Sequence, residues 1–372
     1  MAEWIECKIS DIGTVVGGAT PSTKKAENYE GGNIAWITPK DLSTFSGRYI
    51  QRGERNITEI GLRSCSTQLL PENTVLFSSR APIGYVAIAA NEVCTNQGFK
   101  SVIPNEATDP LFLFYLLKHN KDKIEAMGSG TTFKEVSGNN MKNIIVRVPS
   151  EKEVQKNIAS ILGTLDDKIE ENERINNNLE QQAQAIFDNM FPNISIGEST
   201  IGDTITPKRG KSLLSKNAVI GNVPVVAGGL EPSTYHNVAN TIAPVLAISA
   251  SGANAGYVSL WNIPIWSSDS SFIDSSMTDD VYFWYVLLKK RQKEIYDAQT
   301  GSAQPHIYPQ HIASMPIANL NVEEVRRYTS IVTPIFERIG HNKEENMKLA
   351  KTRDTLLPKL MSGELDVSDI DL

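Results

Sequence analysis

The sequence contains an internal repeat with a spacing of about 170 residues. The segment from Ile161 to Asn172 is matched by the segment from Ile331 to Asn342, and both ends are displaced by 170 positions. In each copy the matched segment is a helical pattern that follows a longer, non-helical block. The chain must therefore fold as two similar blocks, each followed by one long helix.

Each helical copy carries an apolar seam with alternating steps of three and four residues. The first seam comprises Leu162, Leu165, Ile169, Asn172, Asn176, Leu179, Ala183, Ile186 and Met190. The second comprises Val332, Ile335, Ile339, Asn342, Asn346, Leu349, Arg353, Leu356 and Leu360. This spacing is typical of a coiled coil. Pro334 lies one turn into the second pattern and predicts a late start or a kink.

Two asparagines lie in the middle of each seam. A buried asparagine lowers stability but fixes register, because its amide needs a hydrogen-bonding partner. We therefore expect the helices to pack antiparallel, with Asn172 and Asn176 facing Asn346 and Asn342. Two unrelated amphipathic surface helices are the alternative interpretation.

The blocks before the helices share a β-rich pattern, in which short β-branched and aromatic runs alternate with turn residues. Each also contains one helical stretch, from Leu111 to about Ala126 and from about Val281 to Ala298. The sequence thus predicts an α+β fold with two β-rich domains, residues 1–149 and 192–320. Helices at 150–191 and 321–372, the latter with a tail, would form an antiparallel coiled coil and complete a pseudo-two-fold repeat.

The loops differ between the copies although the framework recurs. The segment Ser78–Pro82 is matched by Ala250–Asn254, and the segment Gly128–Thr132 by Thr300–Gln304, and their sequences differ. Functional residues are concentrated on loops held by a rigid scaffold. The pattern indicates a protein that recognises two different targets with two copies of one scaffold.

Charge is distributed unevenly along the chain. The net charge is −7, but residues 151–190 alone contain nine acidic and four basic residues. The blocks are nearly neutral and carry local basic clusters, which are compatible with nucleic acid. The amino-terminal residues lack the pattern of a signal peptide, and no apolar run is long enough to cross a bilayer. We therefore expect a cytoplasmic protein.

Three segments and their order resemble the DNA-specificity subunit of Type I restriction-modification systems. They are WITPKDL at Trp36–Leu42, VLFSSRAPIGYVAI at Val75–Ile88 and GSGTTFKEVSGNNMKNIIVRVP at Gly128–Pro149. The helix beginning ILGTLDDKIEENERIN follows, and the plan is then repeated. The resemblance covers essentially the full chain, and its specificity lies in the duplicated order.

The resemblance implies a function in DNA recognition. Each block would be a target recognition domain that reads one half of a bipartite site, and the paired helices would set the gap. Two methyltransferase subunits would dock on the chain to methylate adenine, and two translocase/nuclease subunits would join them to restrict unmethylated DNA. S-adenosylmethionine would be bound by the methyltransferase.

The residues themselves indicate a non-catalytic chain without a cofactor or metal. We find no Asn-Pro-Pro-Tyr or Asp-Pro-Pro-Tyr tetrad, no Walker lysine motif and no convincing glycine-rich cofactor loop. His306 and His311 are the closest pair of histidines, and their separation of five residues is poor spacing for metal ligands. An expected partner is double-stranded DNA.

Candidate DNA contacts are polar residues on predicted loops. Arginine suits guanine, asparagine and glutamine suit adenine, and lysine or hydroxyl groups suit phosphate. In the first block the candidates are Lys40, Ser78, Ser79, Arg80, Thr131, Thr132 and Lys134. In the second they are Lys208, Arg209, Ser251, Asn254, Ser302 and Gln304. Arg80 is the foremost candidate for a base contact, because it follows a strand within a polar loop.

Two other functions are compatible with parts of the sequence. A scaffold that gathers protein partners through its coiled coil, without DNA, would form complexes that are insensitive to salt, whereas DNA binding weakens steeply with salt. An enzyme with an unrecognised nuclease or transferase site would be active without a methyltransferase partner.

Overall fold

The computed structural model describes residues 3–130, 134–301 and 304–367. The chain forms two compact units. Unit 1 comprises Met1–Glu170 and Asn346–Leu372, and unit 2 comprises Glu171–Glu345. Each unit therefore contains one of the repeated blocks together with part of each long helix.

Unit 1 folds around three sheets. Its strands are β1 (Trp4–Lys8), β2 (Gly13–Gly17), β3 (Ile34–Ile37), β4 (Tyr49–Ile50), β5 (Arg55–Ile57), β6 (Val75–Phe77), β7 (Val86–Ala89), β8 (Cys94–Thr95), β9 (Lys100–Pro104) and β10 (Ile145–Pro149). Its short helices are α1 (Ile9–Ile12), α2 (Pro39–Ser43), α3 (Glu59–Arg63), α4 (Pro110–His119), α5 (Lys121–Ala126) and α6 (Gly138–Lys142). The sheet orders are β2-β9-β6-β7-β4, β5-β3-β8 and β1-β10.

Unit 2 also folds around three sheets. Its strands are β11 (Ser199–Thr200), β12 (Lys208–Arg209), β13 (Val223–Val226), β14 (Thr234–His236), β15 (Val245–Ser249), β16 (Val258–Trp261), β17 (Trp266–Ser267), β18 (Ser270–Asp274) and β19 (Pro316–Ile317). Its short helices are α8 (Val281–Lys290), α9 (Gln292–Asp297) and α10 (Pro309–Ala313). The sheet orders are β12-β18-β15-β16, β14-β13-β17 and β11-β19.

The two units share one topology. The order β2-β9-β6-β7 corresponds to β12-β18-β15-β16, and the smaller sheets correspond in the same way. Strand β4 extends the edge of the large sheet of unit 1. It lies in the connection between β3 and β6, residues 38–74, which is longer than the matching connection of unit 2, residues 227–244. The predicted α+β fold, with a repeated β-rich block and two long helices, is confirmed.

An apolar helix forms the centre of each core. Residues 112–117 of α4 are all buried, and α4 packs against β6 and β7. Residues 281–288 of α8 are likewise buried, and α8 packs against β15 and β16. A helix that is apolar on all sides must be enclosed, so each sheet and its surroundings close around one such helix.

The predicted helices of the two blocks are interrupted. The single helix expected from Leu111 to Ala126 is two helices, because the chain turns at Asn120, whose Nδ2 donates to the Leu116 carbonyl at 2.9 Å. The helix expected from Val281 is divided at Arg291, whose Nη1 donates to the Pro316 carbonyl at 2.7 Å. Neither turn contact leaves a signal in the hydrophobic periodicity, so the two helix breaks could not be predicted from that pattern.

The two long helices are α7 (Lys152–Met190) and α11 (Val322–Ser362). Helix α11 begins twelve residues before Pro334, so the expectation of a late start was wrong. Pro334 cannot donate a hydrogen bond to the carbonyl of Ser330. Ser330 is exposed, and water can satisfy its carbonyl instead.

The helices run antiparallel within each unit. In unit 1, Arg353 pairs with Asp166 at 2.5 Å, and the Nδ2 of Asn346 donates to the Ile169 carbonyl at 3.3 Å. Later residues of α11 thus lie beside earlier residues of α7. Unit 2 shows the same direction, as the contacts of its asparagines demonstrate.

The asparagines at the middle of the seams form buried polar contacts. In unit 2, Asn342 donates to the amide oxygen of Asn176 at 2.8 Å, and Asn172 donates to the Glu345 carboxylate at 2.8 Å. The Asn172 and Asn342 side chains are fully buried, and Asn176 is nearly so. The fourth asparagine, Asn346, lies in unit 1 on the Ile169 carbonyl described above. Within unit 2, the Asn342 and Asn176 amides thus join α7 and α11 directly.

We predict that Asn342→Leu lowers the free energy of unfolding by about 1–3 kcal/mol, because the buried Asn176 oxygen loses its donor. Asn176→Leu should have a similar effect on the other member of the pair. The double variant should recover much of the loss, because apolar side chains replace both partners. Urea unfolding followed by circular dichroism measures all three.

Asn177→Leu is the matched control, because Asn177 is the exposed neighbour of Asn176. It should change the free energy of unfolding only slightly. A double variant that loses as much stability as the sum of its two single variants would contradict the assigned pairing.

Candidate nucleic-acid interface

The connection between β6 and β7 is fixed by main-chain hydrogen bonds. The Ser79 N–H donates to the Gly98 carbonyl at 2.7 Å, and the Val136 N–H donates to the Ser79 carbonyl at 2.9 Å. The Ser78 N–H donates to the Tyr85 carbonyl at 2.9 Å. We call residues 78–85, with their partners Gly98 and Val136, the loop frame of unit 1.

Unit 2 repeats these hydrogen bonds. The Ala250 N–H donates to the Asp269 carbonyl at 3.1 Å, and the Ile307 N–H donates to the Ala250 carbonyl at 2.9 Å. The Ser249 N–H donates to the Tyr257 carbonyl at 2.9 Å. Residues 249–257, with Asp269 and Ile307, are the loop frame of unit 2. The two frames have the same main-chain pattern, although their sequences differ.

A glycine closes the loop of each frame. Gly84 has a φ of 96° and Gly256 a φ of 88°. Both angles lie in the left-handed region, which side chains other than glycine rarely adopt. This requirement explains why Gly84 and Gly256 recur while the residues before them do not.

The loop frame of unit 1 carries a cluster of three charges. The Nε of Arg80 lies 2.9 Å from Oε2 of Glu135 in an ion pair, and the Nζ of Lys100 lies 3.5 Å from Oε1 of the same carboxylate. Arg80 is about half exposed, at 45%. Among the described residues, neither of its Nη groups donates a hydrogen bond, so both remain available as donors.

The loop frame of unit 2 carries a different cluster. The Arg209 guanidinium pairs with Asp269, which also accepts the hydroxyl hydrogen of Ser251. His306 lies opposite Ser251 in an antiparallel bridge and stacks on Tyr308, with 5.9 Å between ring centroids. Arginine, hydroxyl, imidazole and phenol groups thus meet at this frame.

The structure brings several predicted contacts together around each frame. In unit 1, Lys134 precedes Glu135, and Lys40 follows Pro39, whose ring lies against Gly98. Lys40 is exposed and pairs with Glu54 at 2.8 Å, and this hydrogen bond raises its pKa. In unit 2, Lys208 and Gln304 are exposed and Asn254 is half-buried. Thr131, Thr132 and Ser302 lie outside the described residues.

The structure gives Ser78 and Ser79 a different role from the predicted one. Both side chains are fully buried. The Ser78 hydroxyl donates to the Pro82 carbonyl at 3.0 Å and accepts the Tyr85 N–H at 2.8 Å, and the Ser79 hydroxyl donates to Gly98 at 3.2 Å. Their hydroxyl groups hold the loop, and this burial could not be predicted from the polar sequence of the loop alone.

Other candidate residues were missed by the sequence analysis. Gln51 and Arg52 are exposed and line a groove of about 620 Å³, beside Lys40. Gln97 is exposed in the turn before Gly98. An Asn-Gln-Gly turn directly after a strand was the available signal for Gln97. The groove, in contrast, forms only when the segment of residues 40–54 folds.

An arginine anchors the longer connection of unit 1 to helix α7. Arg48 is buried and contacts the Asp167 carboxylate, Glu170 at 2.9 Å and the Gly163 carbonyl at 3.3 Å. Burial alone would lower the pKa of Arg48, but its hydrogen bonds to Glu170 and Asp167 outweigh burial and raise the pKa. The segment that contains the groove is therefore held on the helix by a permanent charge.

A second polar contact lies beside this anchor. The Tyr115 hydroxyl donates to Asp166 at 2.6 Å, and Asp166 also pairs with Arg353 of α11. Burial, followed by the nearby Asp166 charge, raises the pKa of Tyr115. Tyr115 therefore stays a neutral donor. Through Asp166, its hydroxyl connects the central helix of the core to both long helices of unit 1.

Neither a metal centre nor a membrane helix is found in the part of the chain that the structure describes. Within residues 3–130, 134–301 and 304–367, no three His, Cys, Asp or Glu side chains are grouped to hold a metal ion. In the same ranges, no helix combines the length and apolarity needed to span a bilayer.

Comparison with known proteins relates the chain to one family. Residues 1–181 match the sequence profile described as the Type I restriction modification DNA specificity domain. The Type I restriction enzyme MjaIX specificity subunit of Methanocaldococcus jannaschii is 35% identical, across 99% of this chain and 95% of that protein. A putative type I specificity subunit of Mycoplasma genitalium is 25% identical, across 78% of this chain and 81% of that protein.

A solved structure has a similar fold. The crystal structure of a Type I restriction-modification system S subunit from M. genitalium superposes with a TM-score of 0.59 and 20% identity, and 96% of each chain is covered. The similarity of the fold agrees with the two-unit topology described above. Because a relative with 35% identity matches over nearly the full length of both chains, this chain belongs to the family of Type I restriction enzyme specificity subunits.

Proposed function

We propose that this chain is the non-catalytic subunit that gives a Type I restriction-modification complex its DNA specificity. Each unit reads one half of a bipartite sequence, and the antiparallel helices set the number of base pairs between the halves. The domain boundaries proposed for this function are 1–149 and 192–320 for the reading domains, with 150–191 and 321–372 for the helices and tail.

The recurrence of one loop frame with different side chains is the observation that carries the proposal. Main-chain hydrogen bonds hold both frames in the same way, whereas the groups they present differ. Unit 1 presents Arg80, Lys100 and Glu135, and unit 2 presents Arg209 and Asp269. Base edges in the major groove are distinguished by such patterns of donors and acceptors. Two frames with different patterns suit two unlike half-sites.

The proposed contact set follows from exposure and pairing. Arg80 and Arg209 would read bases, and the exposed lysines would bind phosphate and set the register on the duplex. Ser78 and Ser79 are left out of the set, because their hydroxyls are buried and already bonded. The candidates that we retain are Lys40, Arg80, Thr131, Thr132, Lys134, Lys208, Arg209, Ser251, Asn254, Ser302 and Gln304. Gln51, Arg52 and Gln97 are added to them.

The chemistry is assigned to partner subunits. Two methyltransferase subunits would bind the chain and methylate adenine with S-adenosylmethionine that they hold themselves. In a restricting complex, two translocase/nuclease subunits would join them. The family membership supports assembly with other subunits, and the numbers of subunits are part of the proposal.

We predict that Arg80→Ala relaxes recognition at one position of one half-site. The loss should be about 1–3 kcal/mol in binding the preferred base pair, because a bidentate arginine contact to guanine is removed. Competition binding of the complex with methyltransferase to duplexes altered one base pair at a time measures the effect. The other half-site should keep its base preference.

Arg63→Ala is the control for the loss of one positive charge. Arg63 lies in α3, is 83% exposed and pairs only loosely with Glu59 at 3.9 Å. It should leave base preference unchanged at every position. An unaltered motif and unaltered affinity in Arg80→Ala would refute the assignment of Arg80.

We predict that Ser78→Ala affects stability and leaves base preference intact. The Tyr85 N–H and the Pro82 carbonyl would lose their buried partner, at a cost of about 1–3 kcal/mol in the free energy of unfolding. Thermal unfolding and the same competition assay measure the two quantities. A changed motif with unchanged stability would restore Ser78 to the contact set.

We predict a bipartite adenine-methylated motif in cells that carry this chain and its methyltransferase partner. Single-molecule sequencing of genomic DNA would record the modified bases. Deletion of the chain should abolish the motif, because the partner loses its means of selecting DNA. A methylation map in which no bipartite motif depends on the chain would contradict the proposed function.

A further inference from the structure

Each loop frame holds an arginine against a carboxylate from a distant part of the chain. Arg80 and Glu135 are joined at 2.9 Å, and Arg209 contacts Asp269. These four residues occupy the exposed face of frames whose main-chain bonds are already satisfied. The ion pairs are therefore not needed to close the loops, which indicates that they have another role.

Main-chain hydrogen bonds hold Glu135 in place. Its N–H donates to the Ser129 carbonyl at 2.9 Å, and its carbonyl accepts the Ser129 N–H at 3.0 Å. The following residue, Val136, is bonded to the frame. A carboxylate on this rigid segment can orient a flexible guanidinium.

The geometry leaves the reading edge of Arg80 open. The Glu135 carboxylate lies against the Nε of Arg80, and among the described residues neither Nη group donates a hydrogen bond. A guanidinium recognises guanine through two parallel N–H donors. When Nε is tethered, the side chain loses rotamer freedom before DNA arrives, so less entropy is lost on binding.

The Glu135 carboxylate also disfavours DNA binding that does not depend on contacts to the bases. A carboxylate near DNA repels phosphate, and it reduces the positive charge available for sequence-independent attraction. Glu135 partly neutralises Arg80 and Lys100. The presence of an acid at this face is explained by selectivity, which depends on the difference in affinity between right and wrong partners.

The arginine of unit 2 does not occupy the position of Arg80. Arg80 bridges to Glu135, and Ser251 forms the same bridge with His306, so Ser251 is the counterpart of Arg80. Arg209 comes from β12 instead. Its position in the large sheet is that of a residue of β2.

Asp269, the acid of unit 2, likewise does not occupy the position that corresponds to Glu135. The Asp269 carbonyl accepts the Ala250 N–H, as the Gly98 carbonyl accepts the Ser79 N–H. Asp269 is thus the counterpart of Gly98 and not of Glu135. An arginine held by an acid has arisen at both frames from four non-equivalent positions, which a passive remnant of duplication does not explain.

We propose that Glu135 and Asp269 are positioning residues that set base preference, each in its own half-site, by holding Arg80 and Arg209 for guanine. The inference rests on the proposed function and adds the groups that determine its selectivity. Ser251 supports the second pair, because its hydroxyl donates to Asp269.

The test uses the full chain in complex with its methyltransferase partner. Glu135→Gln keeps the shape of the side chain but removes its charge. Discrimination for guanine at one position of the first half-site should fall by about tenfold, within the range of one bidentate contact. Affinity for unrelated DNA should stay equal or rise, because a repulsive charge is removed. Competition binding with single-position duplex libraries gives both quantities.

Asp269→Asn is the internal counterpart in the same molecule. It should alter one position of the second half-site and leave the first half-site intact, whereas Glu135→Gln should do the reverse. Glu59→Gln removes an acid that faces Arg63 in α3 and should alter neither. Glu135→Asp should retain a measurable part of the preference, because the negative charge is kept.

A double variant separates positioning from general structural damage. Glu135→Gln should add little to the loss of discrimination caused by Arg80→Ala, because both act on one contact. Unchanged base preference in Glu135→Gln, additive losses in the double variant, or altered preference at both half-sites would each overturn the inference. A wild-type complex with no bipartite preference would overturn the proposed function and this inference together.

Discussion

The hydrogen bond between the Asn342 and Asn176 amides constrains the other contacts of the long helices in unit 2. Apolar seams with a heptad repeat can slide by one heptad and still bury their side chains. The amides cannot, because a slip would leave two buried polar groups without partners, at about 1–3 kcal/mol each. Apolar burial thus supplies stability, whereas the asparagines select one register among several.

The blocks contact the helices through different chemistry in the two units. In unit 1, Asp166 is held by Tyr115 and Arg353 within a buried network. The positions displaced from Asp166 and Arg353 by 170 residues are Phe336 and Ala183. In unit 2, Phe336 stacks on an aromatic ring of α8 with 4.9 Å between centroids. At these repeated positions, the contact is an ion pair in unit 1 and aromatic packing in unit 2.

The parts of the fold that depend on local periodicity could be predicted from the sequence. The seams and the central helices are encoded over short spacings, and the repeat is evident when the sequence is compared with itself. These features could therefore be predicted. The pairing of Arg80 with Glu135 joins residues 55 positions apart, and it exists only after β6 and the segment near Val136 have met. The burial of Ser78 likewise depends on a hydrogen bond to the Pro82 carbonyl. The orientation of that carbonyl cannot be predicted from composition.

The loop frames have a consequence for the history of such a protein. Their hydrogen bonds run between main-chain groups, and main-chain groups are the same whichever side chain a position carries. Exposed positions such as 80 and 209 can therefore change one at a time while the loop stays folded. Each half of the molecule can acquire a new sequence preference by a short path of single substitutions, independently of the other half.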